Sequence, residues 1–463
     1  MSRRLRVTVI DMQPITPAVG GGRQRLLGLY HGLGEDIDCT YVGSYDWPGE
    51  PHRDQQLTPG LREIVVPLSP AHHAAAAALA AGLRGTTVID TAFPDQVDLS
   101  PDFGRIAGEH IDGADVVVFS HPWCYPRLAS RLRPEQLVVY DSHNVETLLK
   151  TEALDDIPGS GPLLQQVAAT EQALCARSAV VLTCSQEDAA IYSRVFDLPP
   201  GKFRVVPNGA FTDRLKGSES GDRLAQRSAL GLPADQPVAV FMGSMYGPNA
   251  DAARYIADVL APACPDIFFL LVGGVGEVLA DRPMRRNLLA TGVVDDARRD
   301  ALLLAADVAL NPMHAGSGTN IKMFDYMSAA LPVLSTEIGA RGIGDRVASP
   351  EGVEVVALED FPARLPAFLE AVGRKPELRQ RVRDAVVSRF SWERISAELG
   401  RLLAFEHARH GSGGASKKVA ILTTWNISCG IGLHAGHLAD GFHESGFDVL
   451  VLGNQSSGHE VLG

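Results

Sequence analysis

Lys322 and Asp325 stand three residues apart in "HAGSGTNIKMFDYMSAALPVLST", residues 314–336, on adjoining positions of what reads as a helix opened by a Gly-Ser-Gly-Thr-Asn run. The run follows the carboxyl end of an apolar strand, "DVALNP", and open α/β sheets take their ligands at that edge. The first backbone N–H groups of a helix point outward unpaired, and the helix dipole adds about half a positive charge there. Gly316 and Gly318 remove side chains that would block close approach, and Ser317, Thr319 and Asn320 complete a small polar loop. Residues 316–320 therefore read as an anion cradle whose natural occupant is a diphosphate. A cation in the first turn of a helix is disfavoured by about 0.3–1 kcal/mol, and Lys preceding an acid at this spacing is the poorer orientation for a pair. Two readings stand. Lys322 and Asp325 form a local salt bridge, or Lys322 faces phosphate oxygens while Asp325, a turn deeper, accepts hydrogen bonds from ribose hydroxyls. The second makes the ligand a nucleotide sugar or a dinucleotide.

Such a cradle needs a sheet behind it. Short β-branched runs recur with helical stretches between them, the pattern of parallel α/β sheets. In the first half strands are expected at 5–10, 115–119, 137–140, 179–183 and 203–207, and in the second at 237–243, 267–274, 288–294, 307–312, 332–336 and 353–358. Two alternating sets imply an α/β protein with two Rossmann-like domains facing across a cleft, residues 1–212 and 237–388. Residues 213–236 read as a linker with one short helix, 389–408 as a closing helix, and "GSGGAS" within 409–416 as a flexible linker. Residues 417–463 begin again with strand, glycine-containing turn, helix and strand. About 45 residues cannot bury a core of their own, so this piece reads as the truncated start of a further Rossmann-like domain, or as a segment that docks on the main body.

Composition narrows the partners. The chain of 463 residues carries a net charge of −13, which argues against general binding to a nucleic-acid backbone. Six scattered cysteines without metal spacing suit a reduced cytosolic interior. The five-residue apolar run near the N-terminus is too short for a signal peptide, and no segment approaches the roughly 18 apolar residues of a membrane span. The Ala-rich run after His72 and His73 reads as a packed helix. The basic stretch Arg374–Arg389, interrupted by Glu377 and Asp384, reads as a solvated helix face that limits any membrane contact to a peripheral one. A dinucleotide fingerprint, G-x-G-x-x-G directly after the first strand, is missing from "PITPAVGGGRQR", "FMGSMYGPN" and "VGGVGE". A nicotinamide enzyme is disfavoured.

The segments "VPNGA" (206–210), "FMGSMYGPNADAARYI" (241–256), "LLVGGVGE", "TGVVDDARRDALLLAADVALNP" and "GSGTNIKMFDYMSAALPVLST", with "FSWERISAELGRLL" (390–403), follow one another in a recognisable order. Over residues 1–405 the chain resembles retaining glycosyltransferases of the GT-B fold, glycosyltransferase family four. The resemblance implies a nucleotide-diphosphate sugar held mostly by the second domain and an acceptor held mostly by the first. It implies donor contacts from Gly21, Gly22 and Gly243. His143, beyond a strand end in "VVYDSHNVETLL", matches a histidine that touches the transferred sugar in some members, with His121 in "VVVFSHPWCYP" as a second choice; each also reads as a structural histidine. Arg23 would meet an anionic acceptor or stand solvated. Two departures are visible. Ala315 falls near the first of two family glutamates, with Asp325 offset by one from the second, and Asn320 stands where Arg is common. No basic residue follows "FMGSMYGPN" before Arg254, so more phosphate charge would fall on Lys322.

The mechanism implied is a same-face substitution with retention, in polysaccharide or glycoconjugate synthesis. Lys322, Asp325 and His143 would be the catalytic residues. The nucleotide sugar is a co-substrate, and no cofactor or metal is expected; "VVDD" (293–296) reads as solvated surface. The acceptor class stays open among glycans, lipid-linked and small molecules, and the location implied is cytoplasmic, with the inner membrane face as the place of any peripheral contact. A GT-B sugar-nucleotide epimerase and a non-catalytic nucleotide-sugar-binding scaffold are the alternatives.

Overall fold

The computed structural model describes residues 3–215, 220–283, 285–316, 318–343, 350–411, 418–423, 438–439, 441–442 and 447–453. The chain divides into two units, Met1–Leu402 and Leu403–Gly463.

The first unit holds two sheets. The N-terminal sheet comprises β1 (Leu5–Ile10), β2 (Ile37–Gly43), β3 (Arg53–Thr58), β4 (Leu61–Val65), β5 (Val116–Ser120), β6 (Leu137–Asp141), β7 (Val180–Thr183) and β8 (Phe203–Val205), in the order β3-β4-β2-β1-β5-β6-β7-β8. Strands β5, β6 and β7 are buried along their whole length, as apolar strands covered by helices on both faces must be. Strands β2 to β4 are additions to the sequence expectation. β3, "RDQQLT", is the antiparallel edge strand and keeps polar side chains toward water, so it carries no apolar run to reveal it.

The second sheet comprises β9 (Val238–Met242), β10 (Phe268–Val272), β11 (Leu288–Ala290), β12 (Val308–Asn311), β13 (Val333–Ser335) and β14 (Val353–Val355), in the order β11-β10-β9-β12-β13-β14. Every pairing is parallel, and each strand falls within a run expected from the sequence. The segment read as a linker contains the helix Ser220–Leu230, and its Arg227 is ion-paired with Asp307 at the start of β12.

The chain crosses between the two halves twice, and the crossings are bonded to each other. Ala210 N–H donates to Phe390 O at 3.0 Å and Trp392 N–H donates to Ala210 O at 3.0 Å. At Trp392 the helix Trp392–Gly411 begins, and its first turns meet the N-terminal half. Its Ser396 hydroxyl donates to Leu29 O at 2.7 Å and accepts from Gly32 N–H at 3.0 Å. Gly28 is required there, since a Cβ at that position would lie 2.1 Å from the buried Trp392 ring. This helix runs to Gly411, three residues into the segment read as a flexible linker; residues 412–417 lie outside the described residues.

The Ala-rich run lies in the helix Pro70–Gly82, which buries His72 and Ala76. In the basic helix Glu377–Arg389, Val382 and Val386 are buried, and Arg379 and Arg383 donate to backbone carbonyls of neighbouring elements. Among the described residues no helix is long and apolar enough to cross a membrane.

The second unit contains β15 (Lys418–Thr423) and β16 (Asp448–Gly453), paired in parallel from Lys418↔Asp448 to Thr423↔Gly453. Residues 438–439 and 441–442 are helical, and Phe442 and Phe447 meet edge to face at 5.5 Å. The glycine-containing turn read in this segment lies outside the described residues.

Candidate functional site

Loops at the carboxyl ends of both sheets enclose a cavity of about 850 Å³ within the first unit. One wall carries Asp11 after β1, Gly20 to Gly22 at the start of the helix Gly21–Tyr30, His121 after β5, and His143 and Glu146 after β6. The other carries Gly243 after β9, Asn249, Gly274, Thr319 to Lys322, and Asp325. The walls touch at small residues. Gly318, at φ +68°, lies so close to Asn144 that a Cβ would be 2.5 Å from its Oδ1, so both the backbone angle and the packing call for glycine.

Two buried glutamates hold the loops of the first wall. Glu63 accepts Ile15 N–H at 2.6 Å, Thr16 N–H at 3.0 Å and the Thr16 hydroxyl at 2.6 Å. Glu171 accepts Glu146 N–H at 2.9 Å, Thr147 N–H at 2.8 Å and the hydroxyls of Tyr140 and Tyr192. Each carboxylate satisfies backbone donors of an irregular segment, as a buried loop requires.

Between these loops His121 and His143 lie against each other, ring centroids 4.1 Å apart and the rings tilted by 45°. His121 has a left-handed backbone, φ +75°, uncommon for a side chain of this size. Its Nδ1 lies 3.2 Å from both oxygens of Asp11. Burial opposes its charge, but Asp11, with Glu146 and Asp141, lifts its pKa to about 9. His143 is buried against that cation, and both effects push its pKa down to about 4. Ser120 Oγ donates to Asp141 at 3.2 Å and takes a hydrogen bond from His143 Nε2 at 2.9 Å. Beneath lies Asp141, which also accepts Arg25 at 2.9 Å and the Tyr30 hydroxyl at 2.9 Å. Burial works against the Asp141 charge, but Arg25 and His143 hold its carboxyl well below the usual range. The wall thus presents an imidazolium beside a neutral imidazole.

On the opposite wall the sequence expectation is corrected in one respect. The helix begins at Lys322 and ends at Ser328; the glycine run before it is loop, because Gly316 and Gly318 hold φ of +117° and +68°, outside the helical region. Ser317 lies outside the described residues. The local Lys322–Asp325 pair is not formed. Lys322 Nζ donates to Asn249 Oδ1 at 2.5 Å and sits 4.4 Å from the centre of the Phe241 ring. Burial alone lowers its pKa to about 7. Asp325 turns the other way, to Arg214 at 3.5 Å, and burial, partly offset by Arg214 and Arg299, raises it to about 6.

The structure brings Gly21, Gly22, Gly243, Gly316, Thr319, Asn320, Lys322, Asp325, His121 and His143 to one cavity. Arg23 stands beside it, paired with Asp46 at 3.3 Å and stacked 4.5 Å over Trp47. Arg254 pairs with Asp251 instead of facing the cavity. Asp295 of "VVDD" caps the helix Asp296–Ala305 through Arg298 N–H. Sequence reasoning missed Asp11, Asn249, Glu146 and Arg299. Asp11 and Glu146 follow strand ends, which was the available signal; Asn249 and Arg299 reach the cavity only through tertiary packing. Among the described residues no group of three or more His, Cys, Asp or Glu side chains gathers as a metal would need.

Residues 236–374 match the family model described as "Glycosyl transferases group 1". The chain is similar to a D-inositol 3-phosphate glycosyltransferase of Geodermatophilus obscurus, 28% identical over 309 residues, covering 63% of this chain and 66% of the relative. A protein of the same description from Xylanimonas cellulosilytica is 25% identical over 324 residues, covering 64% of this chain and 73% of its own. The chain thus spans about two thirds of the length of these curated relatives. Among solved structures, sucrose-phosphate synthase from Thermosynechococcus elongatus superposes with TM-score 0.68 at 16% identity, covering 88% of this chain and all of its own. The Anabaena protein HepE in complex with UDP superposes with TM-score 0.62 at 13% identity, covering 86% of this chain and all of its own.

Proposed function

We propose that this chain acts as a group 1 glycosyl transferase of GT-B architecture and moves a sugar from a nucleotide-diphosphate donor to an acceptor hydroxyl with retention of configuration. The observation that carries the reading is Lys322: a half-buried ammonium, bonded to the neutral Asn249 and to no carboxylate among the described residues, facing the cavity beside a glycine loop. A buried cation without a counter-charge is costly, and a diphosphate supplies that charge. The epimerase and scaffold alternatives gain nothing from the relatives, whose descriptions are those of transferases.

In the reaction, the acceptor oxygen bonds to the anomeric carbon on the face that the diphosphate leaves. The bond from that carbon to the diphosphate oxygen breaks, its electron pair goes with the diphosphate, and the same phosphate takes the hydroxyl proton. Lys322 and the 316–320 loop stabilise the charge that develops on the leaving group. His121, charged and fixed by Asp11, and the neutral His143 line the sugar. Asp325 serves the ribose.

Calorimetric titration of the full chain with UDP, GDP and ADP, repeated on Lys322→Ala, tests this. One nucleotide binding near micromolar, about −8 kcal/mol, and weakened at least tenfold in the variant is the expected result. Binding of none, or binding indifferent to Lys322, would reject the reading.

A further inference from the structure

The two walls of the cavity differ in how their cations are used. On the N-terminal side Arg23 is bound to Asp46 at 3.3 Å, Arg25 to Asp141 at 2.9 Å, His121 to Asp11 at 3.2 Å, and Lys150 to Asp90. Among the described residues each of these cations is matched to a carboxylate, and one lining carboxylate, Glu146, has no ion pair. Glu146 is 3% exposed and lines the cavity, and its only side-chain hydrogen bond among the described residues comes from Asn144 Nδ2 to Oε1 at 3.3 Å. Burial pushes it up to about 7, against the pull of His121 and Lys150.

Around Glu146 the surface is mixed. Asp90 and Lys150 stand beside it, Ile89 and Leu149 line the same region, and Lys150 Nζ lies 5.5 Å from the centre of the Trp123 ring. Carboxylates accept from hydroxyls, an ammonium donates to them, and apolar side chains cover the C–H face of a ring. A phosphate group needs a cation that is not already committed, and here it would meet Asp90 and the unpaired Glu146.

We infer that this subsite, formed by Asp90, Glu146, Lys150 and the apolar side chains beside them, takes the acceptor as an uncharged polyhydroxylated ring, a polyol or sugar without a phosphate. The inference rests on the transferase reading above and names its second substrate class. The hydroxyl bound nearest the donor loses its proton to the leaving diphosphate as its oxygen bonds to the anomeric carbon; the remaining hydroxyls are held by Glu146, Asp90 and Lys150. Phosphate binding is confined to the opposite wall, where Lys322 has a neutral partner.

The test uses the full chain in two stages. UDP, GDP and ADP are titrated first; if none binds, the transferase reading fails before this one is reached. The chain saturated with the nucleotide that binds is then titrated with myo-inositol against D-inositol 3-phosphate, and with glucose against glucose 6-phosphate. In each pair the neutral compound should bind at least tenfold tighter. Glu146→Gln should weaken the neutral compounds at least tenfold while nucleotide binding is kept, which reports an intact fold, and Glu146→Lys should reverse the preference. Tighter binding of the phosphorylated compounds, indifference to Glu146→Gln, or no polyol bound by the nucleotide-loaded protein would each overturn the inference.

Discussion

His121 and His143 lie 4.1 Å apart with opposite protonation: Asp11 holds the first charged, and the second stays neutral because it is buried and its neighbour is charged. Environments that push two like groups apart are how a site keeps an acid and a base side by side at one pH. The pair also ties together three strand ends, since Asp11 follows β1, His121 follows β5 and His143 follows β6.

The two imidazoles should titrate far apart. In nuclear magnetic resonance titrations His121 should lose its proton near pH 9 and His143 gain one only near pH 4. Asp11→Asn should bring His121 down toward or below its ordinary value, and with the neighbouring cation removed His143 should move up. A single shared transition near pH 6.5 would contradict the arrangement.

Nucleotide affinity should depend on Lys322 and on pH. Losing a charge-assisted contact to phosphate costs about 1.5–3 kcal/mol, roughly a 10- to 150-fold weaker Kd for Lys322→Ala. Burial sets the Lys322 pKa at about 7, so binding of the diphosphate favours the charged form. Affinity should rise as pH falls from 9 toward 7, with proton uptake seen by calorimetry in buffers of different ionisation enthalpy.

The same lysine should shape stability without ligand. Its pKa is 10.5 in the ordinary state and about 7 when folded. Between those values the unfolded chain binds more protons, so this group makes stability rise with pH across that window. Urea unfolding of the apo protein at pH 7 and 10 should show the gain, and Lys322→Met should reduce it.

Asp141→Asn should be severely destabilising. Arg25 and Asp141 are both buried, with side-chain exposures of 1% and 0%, and breaking such a pair from one side costs about 3–5 kcal/mol. The double variant Arg25→Met with Asp141→Asn should recover part of that loss in chemical denaturation. Because Arg25 and His143 hold Asp141 deprotonated in the fold against the effect of burial, its contribution is present above the ordinary carboxylate range and lost as pH falls below it.

Gly28→Ala should cost about 1–3 kcal/mol by overpacking, because the new methyl group would sit 2.1 Å from the Trp392 ring. Pairing it with Trp392→Leu should restore part of the lost stability, which a helix-propensity effect alone would not.

Legibility in the sequence followed burial. Strands covered on both faces announce themselves as apolar runs, which is why β5, β6, β7, β12 and β13 were foreseen; β11 and β14 lie in apolar runs and are only partly buried, whereas β3 is half solvated and polar. The region of 314–336 was legible because glycines, a lysine and a carboxylate follow a strand end. The start of its helix was not, since the left-handed angles of Gly316 and Gly318 depend on the turn they form. The Lys322–Asn249 and Asp325–Arg214 pairings join segments 73 and 111 positions apart, and no local spacing encodes them.

The two chain crossings at Ala210 and at Phe390–Trp392 are laced by their own hydrogen bonds. They join the two halves of the first unit at one place, and the cavity between those halves carries both Lys322 and Glu146. Any coupling between the two substrates must be reciprocal, so each should change the other's affinity by the same factor.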